Sequence, residues 1–480
     1  MSRLVVGPFN RVEGDLEVTL EVDGGRVRAA EVSSSLFRGF ETMLLGRDPL
    51  DALVLVPRIC GICSVSQSAA AATALADAAG LVMPANGRLA TNLIQACENI
   101  ADHLTHFYCF FMPDFARDGY SGASWHGEVA ARFRAQRGSA LGDYLPARAD
   151  FLRVMGYLAG KWPHTLALQP GGTTRAITPT EKVRLAAVLR EFRAFVEGPL
   201  LGDSVGNVAA LATPEALAEW AANHDSDFAC FVRLAFALGL ERTGGASGRF
   251  LSFGAYAGLP QALFPAGLWH TDGYEALDPE AIVEDSSHAW LVGSGPVSPS
   301  CGSTQPQVDG KEGAYTWCKA PRYQGAVVET GALARQLNSG QPLATALVTS
   351  HGASVLARVV ARMIEVARVL PQMETWLSEI RPGDPFCVEW QTPESGCGVG
   401  LVEAARGALG HWLTIERGRI SGYQIIAPTT WNFSPRDATG QPGALEQALV
   451  GLPVGEGETA PMIVQHVVRS FDPCMVCTVH

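Results

Sequence analysis

Four cysteines stand apart from the rest of the chain as two pairs, Cys60-Gly61-Ile62-Cys63 near one end and Cys474-Met475-Val476-Cys477 near the other. Two intervening residues let both sulfurs of a pair face one ion, and thiolates favour soft or borderline metals. The first pair falls at the expected start of a helix, with Arg58 just before it. Helix amides and a guanidinium both lower a thiol pKa and so favour the metal-binding form. The second pair can join it only if the tail folds back into the body of the protein. Spacing alone leaves several chemistries open: one shared four-sulfur site, an iron–sulfur cluster, a structural zinc half-site or a redox dithiol. A compact zinc ribbon fits poorly, because its knuckles usually lie close in sequence. The 11 cysteines are odd in number and scattered, unlike a disulfide framework. Singles such as Cys97, Cys109, Cys230 and Cys301 read as small buried hydrophobes.

The elements that must carry these residues begin with a β-hairpin. Leu16 to Val22 alternates apolar and polar residues, Asp23-Gly24-Gly25 supplies a turn, and Arg26 to Val32 returns. Arg11-Val12-Glu13-Gly14-Asp15 leads into the first strand. Helical periodicity follows over Ser64–Ala79, with Gly80 as a stop, and over Leu89–Phe111, ended by Pro113. Further helices are expected over 129–137, 147–159, 180–197, 214–222 and 227–240. The stretch from about Ser247 to Pro321 is rich in Gly, Pro and Ser, with strand-like pieces such as Ala289-Trp290-Leu291-Val292. Helices return over 329–337 and 353–370, and strand and turn over Ile415–Pro428. The expected fold is α+β and mainly helical: a central helical bundle with small peripheral β-sheets, and a metal site closed by the C-terminal tail. The chain is read as one compact unit, 1–480. It comprises a hairpin over about 1–35, a helical core over about 49–245, a mixed region over about 246–328, and a second helical block with the tail over about 329–480.

Composition narrows the function classes. Of 480 residues 47% are hydrophobic and only 18% charged, below the roughly 25% usual for soluble domains. That is ample material for a large core, and it suggests a surface partly covered by a partner. The net charge of -12 offers no basic footprint for nucleic acid. Lys and Arg are scattered, and no run reaches the roughly 18 apolar residues of a membrane span. Met1 to Gly7 is too short an apolar run for a signal peptide, so a soluble, cytoplasmic protein is expected unless a partner carries it elsewhere.

The residues flanking both pairs are more specific. Arg58-Ile59-Cys60-Gly61-Ile62-Cys63 and Asp472-Pro473-Cys474-Met475-Val476-Cys477-Thr478-Val479-His480 resemble the two signature motifs of nickel–iron hydrogenase large subunits. Phe9-Asn10-Arg11-Val12-Glu13-Gly14, Arg38-Gly39-Phe40-Glu41, Lys319-Ala320-Pro321-Arg322-Tyr323, Glu403-Ala404-Ala405-Arg406-Gly407 and Pro428-Thr429-Thr430-Trp431-Asn432 resemble family segments in the family's order.

The resemblance implies a centre in which nickel takes all four sulfurs. Cys60 and Cys474 would be terminal on nickel, and Cys63 and Cys477 shared with iron. The iron would carry carbon monoxide and cyanide, with Arg406 and Thr429 as donors to the cyanide nitrogens. A guanidinium beside an anionic metal complex makes sense in itself, as fixed charge with several N–H groups. Heterolytic splitting of hydrogen releases a proton, and Glu13 matches the family's proton-transfer carboxylate, taking it from Cys474. Asp114 and Asp472 match acidic positions beside Arg406, and Arg58, Gln67 and Lys319 would also surround the centre. Glu41, the backbone carbonyl of Ile425 and His480 correspond to a magnesium site near the tail. The single imidazole there would also permit iron. Because family precursors carry an extension beyond that histidine, the chain is expected to be a mature form.

Several positions depart from the family's common pattern. Gln67 stands where most members have His, Asp15 where many have His, and Ala405 where proline is usual. Ile62 and Phe110 resemble the mouth of the family's gas tunnel, where smaller residues are common; ordinary core packing is the bland alternative. Bulk there should slow oxygen more than hydrogen. Together with Gln67 it resembles the regulatory, hydrogen-sensing subgroup, which tolerates oxygen and signals to a histidine kinase. Uptake by a related cytoplasmic enzyme is the rival reading, and a structural metal-binding interaction subunit is a more distant one. Without a further Cys cluster in the chain, electrons need a small subunit carrying iron–sulfur clusters.

Overall fold

The alternation in the amino-terminal segment produces strands, as the periodicity predicts. In the computed structural model, which describes residues 2–258 and 261–480, β2 (Leu16–Asp23) and β3 (Arg26–Ser34) pair antiparallel. Gly24 and Gly25 close their turn with φ of 56° and 72°, the two positive values that a two-residue turn of this hand demands. Leu16, Val18, Leu20 and Val22 face the core while the intervening residues face outward or stay half-covered. A third strand, β1 (Ser2–Val6), which the reading of this segment as a hairpin did not include, pairs with the free side of β2.

Helix exceeds strand, 44% against 18%, and the strands form small sheets around a helical middle, as expected for a mainly helical α+β protein. Short helices α1 (Phe40–Leu44) and α2 (Asp51–Leu55) precede α3 (Ser64–Ala78) and α4 (Ala85–Thr105). The expected helix to Phe111 instead changes at His106 into a π turn and then a 3-10 turn that holds Pro113. Helix α4 packs along the helix Val355–Glu379, which continues through Pro371 beyond its expected end, and the helix Pro342–His351 precedes it without having been foreseen. Arg335 ties this interior together. It donates to Glu365 at 2.8 Å and to Glu403 at 2.6 Å, all three fully buried, and Glu365 also meets His103 at 3.0 Å.

A late antiparallel sheet, Gly396–Ala404, Gly407–Glu416 and Arg419–Ile426, begins well before the strand expected from Ile415. Its first strand lies flush on α3. A Cβ at Gly398 would stand 2.0 Å from the Ala74 carbonyl oxygen, and one at Gly400 2.0 Å from that of Ala70. The middle strand is buried on both faces, which erases the alternation that marks a half-exposed strand. Ala289–Val292 forms no strand. It bonds alternately to two segments, Trp290 N–H to the Thr316 carbonyl and Val292 N–H to that of Gln305, so no continuous ladder develops.

Candidate metal centre

Head and tail meet through backbone. Met475 N–H donates to the Glu13 carbonyl at 2.7 Å and Glu13 N–H to that of Pro473 at 3.4 Å, a parallel bridge that pairs Glu13 with Cys474. Gly14, at φ 82°, lies against this tail, and a Cβ there would come within 2.9 Å of the Val476 amide nitrogen. Arg469 reinforces the junction by donating from Nη2 to the carbonyl and side-chain oxygens of Asn10, each at 2.8 Å.

The first pair follows a 3-10 turn, Val56–Arg58, and Cys63 occupies the N-cap position of α3. Arg38 holds both pairs. Its guanidinium donates to the carbonyls of Arg58 (3.0 Å) and Ile59 on one side and of Val476 (3.4 Å) on the other. The result is a cluster of four buried sulfurs whose Sγ atoms all lie within 4.8 Å of one another. Cys60 and Cys474 are 3.5 Å apart, Cys63 and Cys477 3.3 Å, and Cys474 and Cys477 3.1 Å. All four thiols are free. Contact with neighbouring sulfurs, Cys474 first, holds Cys60 well below the ordinary thiol value, and Arg406 adds to this. Burial pushes Cys474 well above it. Four sulfurs packed this closely form a soft donor set suited to one shared transition-metal centre.

Arg406 lies behind the sulfurs, clamped between two carboxylates. It donates to both oxygens of Asp102, at 2.6 and 3.1 Å, to Asp472 Oδ1 at 3.1 Å and to the Asp472 carbonyl at 2.9 Å. One guanidinium cannot neutralise two buried carboxylates. Burial pushes Asp102 up to about 8 despite Arg406, whereas around Asp472 the cost of burial is outweighed by Arg406 and its neighbours, which keep it below the ordinary value. Thr429 Oγ accepts from Cys474 N–H at 3.1 Å and keeps its own proton for a further acceptor. Glu13 is half-buried; burial and then the Cys60 sulfur raise its carboxyl, against Arg406 and Arg38.

Near the end of the tail Glu41, Glu284, Thr304, Lys319 and His480 line a small cavity together with Phe37, Leu291 and Trp317. Glu41 Oε1 accepts from Ile425 N–H at 2.7 Å and lies 3.4 Å from His480 Nε2. Opposite His411 in an antiparallel ladder, Ile425 turns its carbonyl to the same side as its N–H, hence toward Glu41. His480 Nδ1 bonds the Cys477 carbonyl at 2.6 Å; burial disfavours the charged imidazole, but Glu41 and that carbonyl outweigh it and raise its pKa. Once Nε2 gives up its proton, the imidazole and the carboxylate would present two acceptors to a cation there. Lys319 Nζ lies 2.7 Å from Gln424 Oε1, 3.2 Å from Glu284 and 3.6 Å from Glu41.

Several sequence expectations are displaced. Asp114 does not reach Arg406; it pairs with Arg469 at 2.7 Å and with Arg11, beyond the π turn, and Asp102 takes its place. On α4 Asp102 looked like one more polar position, so only a three-dimensional pairing could single it out. Arg58 is solvent-exposed, and Arg406 rather than Arg58 supplies the charge that acts on Cys60. Gln67 is buried; its Oε1 accepts from His411 at 2.9 Å, and its Nε2 has no hydrogen-bond partner among the described residues, a sulfur included. Ile62 and Phe110 are half-buried; the Ile62 N–H points at Cys60 Sγ, 3.3 Å away, and the Phe110 carbonyl accepts from Arg11. Cys301, expected to be buried, is exposed, Cys109 and Cys230 are half-covered, and Cys97 is buried. Arg38, Asp102 and Glu284 were missed, although Arg38 belongs to the Arg38–Glu41 block that suggested the family.

Residues 38–118 and 139–480 match the nickel-dependent hydrogenase family. The chain belongs to that family. It is 30% identical to the large subunit of the periplasmic [NiFeSe] hydrogenase of Desulfomicrobium baculatum, over 100% of this chain and 95% of that one. It is 29% identical to the hydrogenase-2 large chain of Escherichia coli K12, over 100% and 97%. The solved [NiFeSe] hydrogenase of Dm. baculatum superposes with a TM-score of 0.86 at 29% identity, covering both chains in full, and that of D. vulgaris Hildenborough with 0.84 at 30%. As a hydrogenase large subunit, the protein acts on H2 and pairs with a small subunit.

Proposed function

We propose that this hydrogenase large subunit cleaves H2 heterolytically at a nickel–iron centre held by the four converging cysteines and serves as an oxygen-tolerant hydrogen sensor of low turnover. The observation that carries the site is the convergence of four buried thiols, from both ends of the chain, under one guanidinium. Cys60 and Cys474 would hold nickel alone, and Cys63 and Cys477 would be shared with iron. The group, when bound, supplies the polarisation that splits H2. Arg406 and Thr429 offer N–H and O–H donors to iron-bound cyanide, with carbon monoxide as the remaining diatomic. Glu13, joined through backbone to Cys474, takes a proton from that sulfur and passes it outward. Glu41, the Ile425 carbonyl and His480 would hold magnesium, or iron, with Lys319 and Glu284 beside it.

Electrons leave through a small subunit carrying iron–sulfur clusters. Exposed Met43 on α1, with Leu50 just before α2 and Val54 in its last turn, offers it an apolar seat beside the first cysteine pair. In the sensing reading the signal passes on to a histidine kinase. Eleven unpaired thiols suit a reducing compartment, and the proposed location is cytoplasmic. Gln67 and the bulk of Ile62 and Phe110 favour sensing. A relative that is an uptake subunit, from Rhizobium leguminosarum bv. viciae at 28% identity, favours the rival uptake role.

An infrared spectrum with metal analysis tests the centre: carbon monoxide and cyanide bands with equal nickel and iron support it, and zinc alone refutes it. Turnover rate and a co-purifying kinase separate sensing from uptake. Replacing Ile62→Val together with Phe110→Leu should admit oxygen; unchanged inactivation under air would remove the tunnel argument.

A further inference from the structure

The first turn of α3 has amides that no preceding carbonyl satisfies, and the N-cap residue usually supplies the missing acceptor from a Ser, Thr, Asp or Asn side chain. Here that position belongs to Cys63. Its backbone, at φ -107° and ψ 33°, stands outside the extended conformation from which a cap side chain reaches back, and it makes no such bond. The acceptor comes from Glu98, in the middle of α4 and only 2% exposed. One carboxylate oxygen accepts from Val65 N–H at 2.8 Å and from the Trp162 indole N–H at 3.0 Å. The other accepts from Ser66 N–H at 2.9 Å and Ser66 Oγ at 3.1 Å. The loop that brings Trp162 also sends His164 N–H to Ser64 Oγ at 3.2 Å and His164 Nδ1 to the Pro57 carbonyl at 2.9 Å, bracketing the first cysteine pair from both sides.

We propose that Glu98 is a positioning residue for the metal centre: it caps α3 from the neighbouring helix, so that Cys63 holds the N-cap position while its sulfur stays free for metal. Four donors converge on two oxygens at the positive end of a helix and partly offset the burial that pushes this carboxyl up to about 7; no ion pair reaches it among the described residues. A neutral amide replaces it only in part: in Glu98→Gln the amide N–H groups could meet the Ser66 hydroxyl as acceptor but would face the Ser66 N–H, which loses its partner. The inference rests on the proposed function only in taking Cys63 as a metal ligand.

The test uses the complex with its small subunit, in the parent and in Glu98→Ala and Glu98→Gln. Nickel and iron in the parent are measured first; their absence would overturn the proposed function rather than the cap. With metal present, both variants should release nickel to a chelator at least about tenfold faster, a loss of about 1.4 kcal/mol of kinetic retention. Hydrogen exchange should quicken over 59–67 but not along the rest of α3, and the infrared bands should shift. Glu98→Gln preserves volume and so keeps the test meaningful if the Ala variant does not fold. Unchanged nickel release and exchange in Glu98→Gln, or exchange that rises evenly across the whole chain, would overturn the assignment.

Discussion

At the scale of single residues, the site turns on charges that outnumber their partners. Arg406 must serve Asp102, Asp472 and the sulfurs at once, and only its planar fork reaches both carboxylates. Arg406→Lys keeps the charge but loses the fork. We expect hydrogen-dependent activity to fall at least about tenfold, or about 1.4 kcal/mol of transition-state stabilisation, with nickel still bound. Full activity in the lysine variant would mean the fork is idle. Glu13→Gln separates holding metal from moving protons: nickel and iron should stay at parental levels while hydrogen–deuterium exchange drops about 100-fold or more, the scale on which general acid–base groups contribute. The four cysteines, Arg406 and Glu13 were legible in the sequence because each sits in a motif. Asp102 was not, since a carboxylate on an amphipathic helix has no local mark of the guanidinium it will meet, 304 residues away.

At the scale of elements, α3 carries Cys63 and lies on a strand stripped of side chains. Gly400→Ala would force a methyl to within 2.0 Å of the Ala70 carbonyl oxygen. Overpacking of this kind costs about 1–3 kcal/mol; the melting temperature should fall and nickel should be lost faster. The same glycines explain why the late sheet was only partly foreseen: residues that permit flush packing lack the β-branched signature of a strand. The hairpin β2–β3 was read correctly because one of its faces is buried and its turn has a sequence requirement. The helix Val355–Glu379 is anchored by Glu365, which burial would raise but which Arg335 and His103 hold down at about 2 against an ordinary 4.5. A depressed carboxylate contributes stability that is present above pH 4.5 and lost as pH falls through about 2, at most about 3 kcal/mol here. Acid unfolding should therefore steepen over that interval, and Arg335→Met should abolish the steepening.

At the scale of the whole molecule, the exposed apolar side chains of Met43, Leu50 and Val54 fit a surface that a second subunit covers. Val54→Asp should weaken association about tenfold or more in a pull-down or in sedimentation, leaving the metal content of the large subunit unchanged; undiminished pairing would place the partner elsewhere. The meeting of Cys60 with Cys474 has a larger consequence. Once one ion grips sulfurs 414 positions apart, the linear polypeptide becomes a ring. A covalent tie of that span would remove about 6 kcal/mol of freedom from the denatured chain. A coordinate tie can be undone by a chelator, so resistance to heat becomes something the cell confers when it delivers the ion and forfeits when the ion is withdrawn.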